Sequence, residues 1–363
     1  MRIAVFGGTF DPPHVGHVEL CRMVLNEKRY GIDKIIVMPC GNPPHRYALT
    51  ESKHRFNMCK LAFRDARFAV SDYEIKEGRD RFKSYTFKTL EYIKSFNDIK
   101  PYLIVGGDSM REMRLWAKPE AIASLCEIIA VERRGIGGIE AAAAEFQKEF
   151  NAAVHISRFE IPGFSSTEIR ILNSFGIDIT GYTGEAVASY IKENNICRGY
   201  QFYADILRPL MGDERFVHSA YTAVTAYKLA KFYGLDAGKA VVAGLIHDCA
   251  KEVPESVLKS VYGIEIPAAA AVLHPKIRHA PLGALFAQKL FNISDSEILN
   301  AIKYHTSGKK DMEPLEKLIF IADYIEPTRG HTDTPAMYDL AFKDIDKAVE
   351  AKYAEIERKR GSV

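Results

Sequence analysis

Val5-Phe6-Gly7-Gly8-Thr9-Phe10-Asp11-Pro12-Pro13-His14-Val15-Gly16-His17 is the stretch from which the fold is read. An apolar, β-branched run, Arg2–Phe6, meets two glycines, two prolines and a His-x-Gly-His; a helix-forming run, Val18–Lys28, follows at once. That order sets a glycine-rich turn and two imidazoles between the carboxyl end of a first strand and the amino end of a first helix. Open α/β sheets bind ligands there, and helix amino ends attract phosphate. Gly7, Gly8 and Thr9 offer backbone N–H groups and a hydroxyl to a triphosphate. Gly16 leaves room for a phosphate, and His14 and His17, three apart, point to one side. The stretch predicts a nucleotide site.

Outward from it, short β-branched runs alternate with amphipathic helical ones as far as Ile191. The expected strands are Arg2–Phe6, Lys34–Met38, Phe68–Val70 with Tyr73–Ile75, Tyr102–Val105, Glu127–Val131 and Ala153–Ile156. Helices are expected near Val18–Lys28, Ser52–Arg64, Thr86–Phe96, Arg111–Ser124 and Glu140–Phe150, the last, around Ala141–Ala144, peripheral and little patterned. Strict alternation implies βαβ crossovers and a doubly wound parallel α/β sheet covered on both faces. After Ile191 the strands stop, Asn194–Gly199 reads as a connector, and from Tyr203 to Arg358 nearly every segment has helical spacing punctuated by prolines. The expected domains are 1–196, α/β, and 200–363, all-α.

The bulk composition sets bounds. With 363 residues the chain is long enough for two cores. A formal charge of +2, from 49 basic and 47 acidic residues, disfavours structured nucleic acid or an anionic membrane as the main partner. Six cysteines without a C-x-x-C pair fit a reducing cytoplasm rather than a disulfide scaffold or a thiolate metal site. No apolar run reaches membrane-spanning length, and the oligomeric state is not readable.

The opening stretch resembles the signature of the nucleotidyltransferase superfamily that includes the nicotinate-nucleotide adenylyltransferases. Further segments carry the likeness: Asn42-Pro43-Pro44-His45-Arg46 where that family shows a PPHK-like loop, Gly106-Gly107-Asp108 for its G-A-D, and Phe164-Ser165-Ser166-Thr167-Glu168-Ile169-Arg170 for its I-S-S-T-x-I-R. Ser165 and Glu168 also have the spacing of a capping box, which would leave an exposed helix amino end and Arg170 to hold phosphates. The resemblance implies a Rossmann-like fold and attack by the 5′-phosphate of nicotinate mononucleotide on the α-phosphorus of ATP, with Mg²⁺. It implies ATP binding by Gly7, Gly8, Thr9, Phe10, His14, His17, Gly106, Asp108, Ser165, Ser166, Thr167 and Arg170, catalysis by His14, His17 and Arg170, and acceptor contacts by Pro44, His45, Arg46, Thr86 and Trp116. The departures are Phe164, Gly107, Arg46 and Arg134, the last where the family has proline. The preference for nicotinate over nicotinamide mononucleotide stays open, as does a different phosphorylated acceptor such as phosphopantetheine.

The helical half carries a second constellation. His247-Asp248 reads as lying inside the apolar helix Ala243–Lys251, and Asp323 inside Leu318–Ile325. Charge in such runs is costly unless a metal or a strong partner compensates it. With His218, His279 and His305 these residues supply imidazole and carboxylate ligands suited to zinc, iron or manganese. His274 is a rival to His279; His54, His155 and His331 read as surface or structural.

The segment Tyr203–Arg329 resembles the HD superfamily of metal-dependent phosphohydrolases, in its branch with symmetrical bis(5′-nucleosyl)-tetraphosphatase activity. Arg215-Phe216-Val217-His218-Ser219, His279-Ala280-Pro281-Leu282-Gly283-Ala284, Tyr304-His305-Thr306-Ser307-Gly308 and Ala322–Pro327 carry it. The resemblance implies two divalent metals, iron in that family. One would take His218, His247, Asp248 and Asp323; the other would take His279 and His305, with Asp248 bridging. It implies a catalytic Asp248 and Lys251, phosphate contacts by Lys251, Thr306 and Arg329, and cleavage of diadenosine tetraphosphate to two ADP. A non-hydrolytic, nucleotide-sensing helical half stays open as an alternative.

Overall fold

The structure is a computed structural model that describes residues 1–43, 50–78, 83–133, 138–159, 163–330 and 334–361. The chain divides into two compact units, Met1–Arg170 with Asp178–Arg198, and Ile171–Ile177 with Gly199–Val363. Ile171–Ile177 belongs with the second unit because the Phe175 ring packs on Phe216, centroids 4.6 Å apart, and the Tyr200 N–H donates to Ser174 Oγ at 3.1 Å.

The first unit is built on strands β1 Ile3–Gly8, β2 Lys34–Pro39, β3 Phe68–Val70, β4 Tyr102–Gly106, β5 Glu127–Arg133 and β6 Val154–Phe159. All neighbours run parallel, in the order β3-β2-β1-β4-β5-β6. Its helices are α1 Val15–Asn26, α2 Ser52–Ala62, α3 Tyr73–Gly78, α4 Thr86–Lys94, α5 Gly107–Glu112, α6 Pro119–Leu125, α7 Ile139–Phe150, α8 Ser166–Ser174, which runs on into the second unit, α9 Thr180–Thr183 and α10 Glu185–Asn194. Period-two alternation divides the core: Ala4 and Phe6 enter one apolar cluster with Leu20 and Val24 of α1, while Ile3 and Val5 enter another with Leu90 of α4 and Phe146 of α7. Both faces of the sheet are therefore covered, as a parallel sheet requires. This is a doubly wound, Rossmann-like α/β fold.

Local corrections follow from the structure. Tyr73–Ile75 is not strand but the start of α3: the Ser71 hydroxyl accepts the Tyr73 N–H, and the Asp72 carbonyl accepts those of Ile75 and Lys76. The expected helix over 111–124 is broken, because Lys118 stands at φ 53° and Pro119 opens α6 without an N–H to continue the preceding turn. α7 is patterned after all, with Ile139, Ala143 and Phe146 buried. α1 begins at Val15 rather than Val18, so His14 caps it and His17 lies in its first turn.

The second unit is all-helical among the described residues. It contains α11 Gln201–Leu207, α12 Asp213–Tyr233, α13 Ala237–Ile246, α14 Glu255–Ser260, α15 Ala268–Ala271, α16 Pro275–Leu290, α17 Ser296–Tyr304, α18 Pro314–Ile325, α19 Thr334–Ala341 and α20 Ile345–Gly361. Gly244 lets α13 lie against the backbone of α12, since a Cβ there would fall 2.7 Å from Ala223 Cα. That close approach brings the end of α13 to the imidazole of His218. Among the described residues no helix is long and apolar enough to cross a membrane.

Candidate active sites, one in each unit

The strand order reverses direction between β1 and β4, and the loops after these two strands flank the crevice where doubly wound sheets take ligands. Gly7 and Gly8 close β1, while Gly106 and Gly107 join β4 to α5. His14 and His17 stand at this point with their rings stacked, centroids 3.6 Å apart and planes 20° from parallel. The His14 N–H donates to His17 Nδ1 at 3.2 Å, and the His17 N–H to the His14 carbonyl at 2.9 Å. His14 is buried rather than solvated, with the Phe164 ring edge-on at 5.3 Å. Phe10 turns inward at φ 51°, is 2% exposed, and meets His17 edge-on at 5.1 Å. Its side chain is core, so only its backbone can face a ligand.

The amino end of α8 is fastened over this turn. Ser166 Oγ donates to the Pro12 carbonyl at 2.8 Å, and Arg170 Nη1 to the Asp11 carbonyl at 2.5 Å. Arg170 also reaches Thr167 Oγ1 at 3.0 Å. The capping box is present: the Ser165 N–H donates to Glu168 Oε1 at 3.0 Å, and the Glu168 N–H to Ser165 Oγ at 3.4 Å. Gly7, Gly8, Thr9, His14, His17, Ser166 and Arg170 thus come together. Asp108 sits in the first turn of α5, in an ion pair with Arg111 at 2.5 Å.

Of the expected acceptor contacts, Pro44, His45 and Arg46 lie outside the described residues, as does Arg134. Thr86 opens α4, and Trp116 is half-buried against the apolar cluster on that face of the sheet. Sequence reasoning passed over Arg55. This guanidinium, 1% exposed, donates to the carbonyls of Thr9 (2.7 Å), Gly41 (3.1 Å) and Thr50 (3.0 Å). It ties the turn after β1 to the loop after β2. Its signal was its place at helical spacing with the buried Met58 and Cys59.

In the second unit the six expected ligands converge. His218 Nε2 lies 3.2 Å from His247 Nε2 and 3.1 Å from Asp323 Oδ1. His247 Nε2 is 3.6 Å from Asp248 Oδ2 and 3.6 Å from Asp323 Oδ1. His279 Nε2 and His305 Nε2 are 3.2 Å from each other and each 3.2 Å from Asp248 Oδ1. His247 and Asp248 stand just past the end of α13 rather than inside a helix, in turns where Cys249 N–H reaches the Ile246 carbonyl and Lys251 N–H that of Asp248. His305 likewise follows the last residue of α17. At a helix end a ring can fold back on a carbonyl of its own last turn, and both do.

The other ring nitrogens settle the chemistry. His247 Nδ1 faces the Gly244 carbonyl at 2.8 Å, and His305 Nδ1 that of Ile302 at 2.7 Å. A carbonyl only accepts, so both rings carry hydrogen on Nδ1 and, when neutral, present a bare Nε2 lone pair. His218 Nδ1 faces the buried Glu326 carboxylate at 2.9 Å, with the same consequence. Lone pairs and carboxylate oxygens at these separations repel unless a cation sits among them, and outer partners on Nδ1 are the usual way a ligating imidazole is oriented. The residues fit divalent metals. Asp248 offers one oxygen to each histidine pair, which suits a bridging ligand.

Burial pushes His279 and His305 down, keeping both neutral. Lys251 Nζ lies 3.0 Å from Asp248 Oδ2, and Arg215 pairs with the same oxygen from α12. Thr306 Oγ1 lies 2.9 Å from His305 Nε2 and 3.1 Å from His279 Nε2. Arg329 pairs with Asp323 Oδ1 and donates to the Asp323 carbonyl at 2.9 Å. Arg215 and Glu326 went unassigned in the sequence, although each lies three residues from a ligand. His274 caps α16, His54 meets Tyr190 at 2.9 Å and His155 meets Glu127 at 2.8 Å, while His331 lies outside the described residues.

The cytidylyltransferase-like family matches residues 5–171, and the HD domain matches residues 215–328. Over 367 residues the chain is 28% identical to the "Probable nicotinate-nucleotide adenylyltransferase/Ap4A hydrolase" of Mycoplasma genitalium, covering 98% of both chains. It is 34% identical over 201 residues to the "Probable nicotinate-nucleotide adenylyltransferase" of Clostridium tetani, 54% of this chain and 98% of that one. It is 38% identical over 138 residues to the "Bis(5'-nucleosyl)-tetraphosphatase, symmetrical" of Bacillus subtilis, 38% of this chain and 74% of that one.

Proposed function

We propose an enzymatic function for each half of a chain that belongs to the nicotinate-nucleotide adenylyltransferase family in its first half and to the HD-domain family in its second. The first, over residues 1–196, transfers AMP from MgATP to nicotinate mononucleotide. A 5′-phosphate oxygen of the mononucleotide attacks the α-phosphorus, the bond to the α–β bridging oxygen breaks, and pyrophosphate leaves with the electron pair. Deamido-NAD is the product. No covalent intermediate is needed, so the protein's task is in-line positioning and charge neutralisation.

The observation that carries this reading is the stacked His14–His17 pair at the strand-order switch, fastened to the amino end of α8. His14, His17 and Arg170 neutralise the charge that develops on the phosphates. Gly7, Gly8, Thr9, Gly106, Asp108, Ser165, Ser166 and Thr167 surround ATP, with the Phe10 backbone. Thr86 and Trp116, with Pro44, His45 and Arg46, take the acceptor. The test supplies ATP and Mg²⁺ with nicotinate mononucleotide, nicotinamide mononucleotide or phosphopantetheine in turn. Pyrophosphate appears fastest with nicotinate mononucleotide; release with phosphopantetheine alone overturns the assignment.

The second function, over residues 200–363, is hydrolysis of diadenosine tetraphosphate to two ADP. His218, His247, Asp248 and Asp323 hold one divalent metal; His279 and His305 hold another, with Asp248 shared, and iron suits this donor set. Bound metals supply an activated water and neutralise the attacked phosphate. Asp248 keeps the two positions together, and Lys251, Thr306 and Arg329, with Arg215, present cations and a hydroxyl to the substrate phosphates. Water adds to a phosphorus beside the central bridging oxygen, which leaves on the other ADP. The convergence of lone-pair nitrogens and carboxylates carries this reading. Protein loaded with Fe²⁺ or Mn²⁺ yields ADP as the sole nucleotide; AMP with ATP overturns the symmetrical cut.

A further inference from the structure

α20 begins beyond residue 328, where the HD match ends. Its sequence is dense in charge, so a lysine there reads as solvated. Lys352 is instead 5% exposed. Its ammonium lies against α18: it donates to the Phe320 carbonyl, sits 3.8 Å from the centroid of the Phe320 ring, and lies 3.9 Å from Asp323 Oδ2. The other oxygen of that carboxylate, Oδ1, faces His218 Nε2 at 3.1 Å and His247 Nε2 at 3.6 Å, with Arg329 beside it. Asp323 therefore divides its two oxygens between the histidine cluster and a buried lysine.

Removing an ammonium from water is costly, and an apolar side chain of similar length would fill this space without that cost. The charge is spent on one carboxylate oxygen. We infer that Lys352 is a positioning residue for the metal centre, holding Asp323 Oδ2 so that Oδ1 alone is presented beside His218 and His247. The inference rests on the metal reading of that cluster. A carboxylate without such a partner can rotate and offer both oxygens, changing the ligand number and the charge placed on the ion; outer partners of ligating carboxylates govern affinity in this way.

The test is calorimetric titration of the metal-free full chain with Mn²⁺. In Lys352→Met, one bound equivalent weakens by about 10–100-fold while the other stays within about threefold of the parent. The metal-free variant melts below the parent, since Asp323 is left with one buried cation fewer, so the selective loss at one equivalent is the diagnostic. Lys352→Arg, which keeps the charge, recovers the larger part of the lost affinity. Parental affinity at both equivalents in Lys352→Met overturns the inference, as does equal weakening of both. If Lys352→Met does not fold, Lys352→Gln takes its place, and failure of both assigns the lysine to the fold and overturns the inference. A parent that binds no Mn²⁺ overturns the metal reading itself, which separates the two failures.

Discussion

Asp248 Oδ1 lies 3.2 Å from His305 Nε2, and that nitrogen is a bare lone pair because His305 Nδ1 gives its hydrogen to the Ile302 carbonyl. Two acceptors held this close in a buried site call for a cation between them. Metal should therefore stabilise the helical unit rather than merely switch on its activity. Adding Mn²⁺ to the metal-free protein is expected to raise the melting temperature of one transition, by an amount that grows with metal concentration above the dissociation constant. Calorimetry with and without chelator checks it; a melting curve indifferent to metal contradicts the site.

His17→Ala removes one partner of the stacked pair and, on the proposed reading, one charge-stabilising group at the α-phosphate under attack. Pyrophosphate release should fall by about 10²–10³ in kcat, the size seen when one preorganised donor is lost. Hydrolysis of diadenosine tetraphosphate by the same variant should match the parent. Steady-state assays of both reactions on one preparation decide it.

Arg55 illustrates a structural rather than chemical contribution. Arg55→Met strands the carbonyls of Thr9, Gly41 and Thr50 in or near the interior, at about 1–3 kcal/mol for each acceptor that water cannot reach. The α/β unit should unfold at distinctly lower urea, by about 3 kcal/mol in total. Arg55→Lys should rescue little, since an ammonium cannot span three acceptors in the guanidinium plane. An unchanged urea midpoint for Arg55→Met refutes this role.

Glu74 carries a pH dependence. Burial raises its carboxyl pKa, while the Thr89 hydroxyl, donating at 2.6 Å, pulls it back. The folded state thus keeps a proton that the unfolded chain has already lost. Stability falls as pH climbs from the ordinary carboxylate range through the raised value, and the loss is complete above it. Glu74→Gln should flatten that slope, so that the variant gains on the parent as pH rises. Melting temperatures across the acid range test the sign; a parent that gains on the variant with rising pH contradicts it.

The legible parts of the chain were those where local pattern and chemistry coincide. A β-branched run ending in two glycines and a His-x-Gly-His fixed the first strand, the turn and the ligand crevice together. Polar residues inside apolar runs drew attention to His247, Asp248 and Asp323. Tyr73 and Ile75 alternate as a strand would, yet Ser71 and Asp72 accept the first N–H groups of a helix, which alternation does not register. Arg55 and Lys352 were missed for a shared reason. A cation on a helix reads as solvated unless its acceptors are known, and these acceptors lie on other elements, tens of residues away for Lys352. Gly244 was invisible in the same way, since only the packed helices reveal that Ala223 leaves no room for a Cβ.

Asp248→Asn decides whether one chain carries two separate chemistries. The substitution keeps the shape and removes the carboxylate shared by both histidine pairs. In paired assays on one preparation, ADP formation from diadenosine tetraphosphate is expected to be lost while pyrophosphate release from ATP and nicotinate mononucleotide continues at the parental rate. Loss of both activities together, or undiminished ADP formation, would contradict it.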